Sequence, residues 1–287
     1  MENQDILHFL AAFIDSSDLN YVHSEDAIYP HLAGMKFFEE PLVGFSSADD
    51  TLYCNEFKQP GILHPAHKTP EEWLPGAKSV ISFFLPFTAQ VRASNKLRHD
   101  LPYDPTLSNQ HCSVEWLHAR IEGQELIHVL SAEICLFLQR KGFRAIAPAI
   151  SPEFRLVDTY VSNWSERHVA YASGLGTFSV SRALITEKGM AGRLGSVITD
   201  AEFEPTERPY ESPFEYCIAC GACQHRCPIT AIDLKRGIKD AKNQDLCGPH
   251  VRGSILPPHG PNGIVRYGCG KCQVDVPCEH QNPLLVR

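Results

Sequence analysis

No stretch of this 287-residue sequence is long and apolar enough to cross a bilayer. The longest apolar runs, Val80 to Phe87 and Ile134 to Leu138, fall well short of the about 20 residues a spanning helix needs, so no membrane anchor is expected. Basic residues are also in short supply: 26 Lys and Arg against 34 Asp and Glu leave a formal charge of −8. A surface that neutralises phosphates normally shows the opposite excess, which disfavours a nucleic-acid partner. The first residues, Met1 to Phe13, carry Asp5 where an export signal needs positive charge, and show neither a twin arginine nor a small-residue cleavage site. A cytoplasmic protein is therefore expected. No internal repeat of solenoid length is present either.

What the chain does hold is cysteine, eleven of them. In a reducing compartment they would rarely serve as structural disulfides, so their spacing is read first for metal or redox chemistry. Cys217, Cys220, Cys223 and Cys227, followed by Pro228, form C-x2-C-x2-C-x3-C-P. This is the bacterial ferredoxin run, in which three thiolates hold one 4Fe-4S cubane and the fourth reaches across to another cluster. Zinc sites do not usually place four cysteines so tightly before a proline. Gly221 lets the backbone approach the cluster and point amides at sulfur.

If Cys227 belongs to a second cluster, four further ligands are needed downstream. The sequence supplies Cys247, Cys269, Cys272 and Cys278. The spacing predicts one 4Fe-4S cluster on Cys217, Cys220, Cys223 and Cys278, and another on Cys227, Cys247, Cys269 and Cys272. The closing C-x2-C-x5-C lacks the usual Cys-Pro at its end, which makes Cys278 the least regular ligand. Cys54, Cys112 and Cys135 stand at no motif spacing and are read as buried or half-buried thiols. His64 and His67 form the one close histidine pair, without an obvious third ligand.

Periodicity before the cysteine region predicts a mixed chain. Asp5 to Ile14 and Ser113 to Lys141 read as helices, the second with a possible interruption at Gly123 and a cap at Gly142. Ser79 to Leu85 reads as a buried strand bounded by Pro75-Gly76 and Pro86. A short strand at Ala145 to Ala149, a helix near Glu166 to Ser173 and a strand at Ser196 to Thr199 follow. Interleaved strands and helices suggest a mixed α/β or α+β layered domain, not a bundle, over residues 1–204, and α+β is the class expected for the whole chain. After Asp200 the apolar periodicity fades and a segment so poor in core residues needs a metal staple, which sets a second unit at 205–287.

Several blocks then carry a resemblance. Pro70 to Ser82 (Pro-Glu-Glu-Trp-Leu-Pro-Gly-Ala-Lys-Ser-Val-Ile-Ser), Glu166-Arg167 leading into Gly174-Leu175-Gly176, Gly195 to Thr199 and the double-cluster cysteines together resemble epoxyqueuosine reductase and, in catalytic core, the reductive dehalogenases. The resemblance runs over about residues 60 to 280. It implies a cobalamin-binding domain of nitroreductase-like fold followed by a two-cluster ferredoxin-like module. It further implies an external low-potential donor of ferredoxin or flavodoxin type, a cobalamin that receives the electrons, and a small or nucleoside-like substrate. Gly174, Leu175 and Gly176 are then expected where backbone presses against the flat macrocycle.

The chain departs from that family in two ways. The family's glycine turn usually runs into an aromatic and Gly-Lys-Asn, whereas Thr177-Phe178-Ser179-Val180-Ser181 follows here. The helical-repeat extension that many members carry for tRNA is also lacking, which speaks against tRNA-bound epoxyqueuosine as substrate. The family's catalytic aspartate precedes the Glu-Arg pair by six residues, and the same count back from Glu166 lands on Tyr160, with Asp158 two positions upstream. The resemblance thus points to Tyr160 as proton donor, the phenol that dehalogenases also use, with Asp158 as the carboxylic alternative. A carrier without its own cobalamin, donating to a corrinoid or flavin partner, is the competing expectation.

Overall fold

The structure, a computed structural model, describes residues 1–96, 112–158 and 161–285. Its centre is a four-stranded sheet in the order β1-β2-β8-β3, antiparallel at every pairing. β1 is Leu42–Ser47, β2 is Ser79–Pro86, β3 is Ala145–Ile146 and β8 is Gly192–Thr199. Every residue of β2 is buried because the sheet is covered on both faces. Ile81, Phe83 and Leu85 face one core with Val197, and Val80 faces another with Ile198. Successive strand residues point to opposite faces, so one strand serves both layers.

The first layer is helical. α1, Asn3–Ser16, buries Ile6, Leu10 and Ile14, the stripe its periodicity predicts. α4, Val114–Arg140, buries Leu117, Leu126, Leu130, Ile134 and Leu138 in the same core. Its start is capped by Ser113, whose hydroxyl accepts the Trp116 N–H at 3.2 Å, and Gly142 past its end takes φ 89°. Gly123 does not interrupt the helix. The Phe38 ring lies 2.7 Å from where a Cβ on Gly123 would sit, so the residue allows a close approach.

The second layer holds α2, Pro70–Trp73, and α5, Glu166–Ala172, around the fully buried Trp164. Trp73 meets Trp164 edge-on at 6.3 Å and Tyr53 stacks on it at 6.3 Å. Between α2 and α4 runs α3, Ala89–Ser94. β4, Leu156–Asp158, pairs with β5, Val161–Ser162, and β6, Gly176–Phe178, with β7, Leu184–Thr186. The architecture is therefore mixed α+β with small antiparallel sheets. No helix among the described residues is long and apolar enough to cross a membrane.

Beyond residue 205 regular structure is reduced to α6, Ala222–His225, α7, Gln244–Gly253, and short 3-10 turns. The packing nonetheless runs across that point. Ile232, Ala241 and Val276 share a core with Val180, Ile185 and Met190. The Met190 and Ala191 N–H groups donate to the carbonyls of Cys278 and Glu279, each at 3.0 Å. Arg266, with no solvent exposure, reaches back to Glu122 of α4 at 2.5 Å and to the Asp26 carbonyl at 2.9 Å.

Candidate functional site

The loop carrying Cys217, Cys220 and Cys223 is folded by two left-handed residues, Ala219 at φ 49° and Gly221 at φ 77°. These kinks gather three cysteines on one short span, with Cys223 buried, Cys217 half-buried and Cys220 exposed. Cys278 arrives from the far end of the chain, and the four sulfurs surround one small cavity with Val180, Ile185 and Val276. Cys278 Sγ also lies 3.8 Å from Met190 Sδ.

Cys227 turns away from that group. It joins Cys247 of α7 and Cys269 and Cys272, which flank the left-handed Gly270, on the wall of a second, much larger cavity of about 690 Å³. Hydrogen bonds support both ends of this set: the Ala231 N–H donates to Cys227 Sγ at 3.2 Å, and the Asn95 side chain donates from Nδ2 to the Cys269 carbonyl at 2.9 Å. Gly270 is required there, since a Cβ would lie 2.2 Å from the Trp116 indole. The structure thus brings the eight cysteines of the C-terminal region into two sets of four. Among the described residues no three His, Cys, Asp or Glu side chains converge as they would on a single ion. Cluster ligands bind the corners of a cubane and stand further apart than that.

Burial pushes the thiols of Cys223, Cys269 and Cys278 up to about 12, so without metal these side chains are protonated. Iron would reverse that, because a coordinating thiol gives up its proton. Lys242, on the same wall, donates to the Ser181 carbonyl at 3.0 Å and is held charged by Cys272, Cys247 and Cys227 against the opposing pull of burial.

The other walls of the large cavity come from α4, α5, β5 and β8. Glu166, at the start of α5, is the notable group. Ser196 Oγ donates to its Oε2 at 2.6 Å, Trp164 Nε1 donates to Ser196 Oγ at 2.9 Å, and Oε1 is buried without a partner. Burial, the dominant cause, raises its pKa to about 7 although the Ser196 hydrogen bond opposes this. A carboxyl group in that range can keep a proton beside the cavity at neutral pH. His168, two residues on, is pushed down to about 3, first by burial and then by Arg167, and stays a neutral imidazole bonded to Ser165 Oγ at 2.8 Å.

The pH dependence of stability follows with opposite signs at two positions. His67, 2% exposed, accepts the Ser165 N–H at 3.2 Å, and burial lowers its pKa to about 4. Between pH 4 and 6.5 the unfolded chain binds the proton that the folded chain refuses, so stability rises with pH there and the contribution is lost as pH falls. Glu166 acts the other way: its contribution is complete below pH 4.5 and is lost as pH rises to about 7. In urea titrations, His67→Gln should shrink the acid-side loss of stability by roughly 3 kcal/mol. Glu166→Gln should instead flatten the decline from pH 5 to 7. An acid limb unchanged in His67→Gln would show that another group controls it.

The remaining sequence-derived positions lie elsewhere. Gly174, Leu175 and Gly176 are not on the cavity wall. Gly174 packs against the Glu207 carbonyl and Thr206, and a Cβ on Gly176 would fall 1.9 Å from the Ile185 carbonyl of β7. The glycines answer to hairpin packing, and a bulky substitution at Gly176 would disrupt β6 and β7. Asp158 is exposed at the end of β4 and does not line the cavity, whereas Val161 and Ser162 do. Tyr160 lies outside the described residues. Cys54 is exposed, Cys112 buried and Cys135 half-buried. Glu166, Arg120 and Arg193 were not singled out by chemistry in the sequence; Glu166 stood there only as part of the Glu-Arg block.

Neither a protein-family model nor a curated protein sequence matches the chain. Solved structures do. The catabolic reductive dehalogenase NpRdhA, in complex with 3-bromo-4-hydroxybenzoic acid, aligns with a TM-score of 0.50 at 14% identity over 85% of this chain and 30% of that one. Epoxyqueuosine reductase from Bacillus subtilis aligns with a TM-score of 0.45 at 22% identity, over 83% of this chain and 61% of that one. An epoxyqueuosine reductase solved with an epoxyqueuosine-modified tRNA stem loop gives 0.46 at 22% identity. The structural neighbours are thus the two groups that the motifs resemble, and the likeness is one of fold. The chain spans about three fifths of the length of the epoxyqueuosine reductases it matches. The expectation against a nucleic-acid partner rests on net charge and gains no support from these neighbours.

Proposed function

We propose that this chain is a reductase. In this reading Cys217, Cys220, Cys223 and Cys278 would hold one 4Fe-4S cluster and Cys227, Cys247, Cys269 and Cys272 a second, and these with a corrinoid in the large cavity would supply electrons from an external low-potential donor to a small molecule. One observation carries the reading: the second cysteine set is part of the wall of the 690 Å³ cavity that also holds Glu166 and His168. An electron carrier without a substrate has no use for such a space beside its inner cluster, so the competing expectation is not favoured.

The residues present fit these groups. Eight thiols in two sets suit two cubanes. The cavity, lined by Phe84, Phe154 and Trp164 together with many polar and charged side chains, has room for a cofactor or substrate. When bound, the clusters and corrinoid supply single electrons at low potential. The chain's own part is to hold, orient and protonate. Lys242 favours the thiolate forms of Cys247 and Cys227 by its charge, against burial. Glu166 holds a proton at the cavity wall because burial raises its pKa to about 7, against the hydrogen bond it accepts from Ser196.

Tyr160 is the proposed donor to the substrate: a phenol stays protonated at neutral pH and can protonate a developing carbanion. Val161 and Ser162, which follow it, line the cavity, and Asp158 does not. Tyr160→Phe should lower substrate turnover by about 10²-fold with iron and corrin content unchanged. Full activity in Tyr160→Phe together with loss in Asp158→Asn would return the role to the carboxylate. The cofactor half is tested by anaerobic incubation with cobalamin followed by desalting. One corrin per chain should be retained, and cluster absorbance alone would favour the carrier.

A further inference from the structure

The cavity reverses the charge of the chain around it. The protein carries −8 overall, yet the cavity wall holds Arg120, Arg167, Arg182, Arg193 and Lys242 against the single carboxyl group of Glu166. None of these five cations makes an ion pair among the described residues. Three of them belong to the cysteine side: Arg167 donates to the Arg182 carbonyl at 2.6 Å, and Lys242 is within electrostatic reach of Cys227, Cys247 and Cys272. Thiolates would offset their charge.

Arg120 and Arg193 have no such partner. Arg120 projects from α4, donates from Nη1 to the Tyr267 carbonyl at 2.9 Å and lies 4.3 Å from the centre of the Tyr267 ring. Arg193 comes from β8 and donates to Gln124, one turn along α4 from Arg120. His128, a further turn on, completes a row of cavity-lining side chains on the same helix face. Burial and then the nearby Arg120 push the Arg193 guanidinium down to about 9. Two half-buried guanidiniums placed near each other repel, and each offers a planar fork of donors of which a single bond is satisfied here by the protein. That is the arrangement that receives a carboxylate or a phosphate.

We infer that Arg120 and Arg193 form an anion-binding subsite in the cavity, which takes a carboxylate or phosphate group of a molecule bound there. The inference rests on the proposed reading only in taking the cavity as the reaction space. The anion has two possible sources: the substrate itself, or the phosphodiester in the nucleotide loop of a corrinoid. In either case the subsite anchors one end of a bound molecule at the α4 and β8 wall of the cavity, where Arg120 also packs against Gly268.

The test uses anaerobically reconstituted full-length protein, calorimetric titration with benzoate and with inorganic phosphate, and retention of cobalamin and of cobinamide, which lacks the phosphodiester. Arg193→Gln should weaken at least one of these anions or cobalamin by about tenfold or more, as loss of a charge-assisted bond implies, and Arg193→Lys should restore part of it. Loss of benzoate or phosphate binding with cobalamin unaffected assigns the subsite to substrate. Weaker cobalamin with unchanged cobinamide assigns it to the corrinoid tail. If Arg193→Gln keeps its iron and changes none of the four, the subsite is overturned. If the wild-type protein binds neither corrinoid but does bind benzoate or phosphate through Arg193, the corrinoid reading fails and the subsite stands.

Discussion

Anaerobic reconstitution should load about eight irons on each chain, as two cubanes require, and Cys272→Ser should bring that to about four or fewer. The expectation rests on the two sets into which the structure sorts the C-terminal cysteines. Cys272 is the instructive position because it lines the large cavity and also lies within electrostatic reach of Cys223 in the other set. Its loss should remove the inner cluster and disturb the outer one. Metal binding and folding are coupled in a segment with so small a core, so yield of folded protein should fall as well. A reproducible iron content near four in the wild type, or zinc in place of iron, would overturn the assignment.

A second large effect is expected from Glu122→Ala. Burial alone would raise the Glu122 pKa, but hydrogen bonds from His118 at 2.6 Å and from Arg266 at 2.5 Å pull it below the ordinary carboxylate value. Removing the carboxylate leaves Arg266 charged, inaccessible to solvent and held only by carbonyls. Breaking a buried pair in this way costs about 3–5 kcal/mol, a large part of the stability of an ordinary domain. Urea unfolding of the iron-loaded protein should show it as a lower midpoint at unchanged slope. A change below about 1 kcal/mol would mean that the pair is screened as surface pairs are. Because Arg266 precedes Cys269 by three residues, the variant should also release iron more readily on dilution into chelator.

The two long helices and the central strand were legible because each follows one period over many residues. The 3.6 repeat of α4 survives Gly123, and the bounded apolar run of β2 needs no context. β1, β6 and β7 were not legible. Gly44 and Gly176 stand in them because other backbone comes close, with the Ser173 carbonyl 2.1 Å and the Ile185 carbonyl 1.9 Å from their would-be Cβ atoms. A glycine demanded by tertiary packing is indistinguishable in sequence from one demanded by a turn or a ligand, which is why Gly174 to Gly176 read as a macrocycle contact. Spacing grouped the cysteines because cluster ligation imposes local geometry. Nothing comparable marks Glu166, Arg120 and Arg193: they come from α5, α4 and β8 and acquire their character only where those elements meet.

The way the two cysteine sets interlock governs the order in which the molecule can be completed. Each set needs a residue beyond Gly268: Cys278 for the outer one, Cys269 and Cys272 for the inner. A growing chain that has reached Gly268 presents Cys217, Cys220, Cys223, Cys227 and Cys247, and has finished neither set. Under the proposed assignment neither iron site can be completed before the residues beyond Gly268 are free to fold. Assembly then acts as a check on completeness, since a chain cut short at that point forfeits both metal centres at once instead of yielding a half-loaded enzyme that could leak electrons.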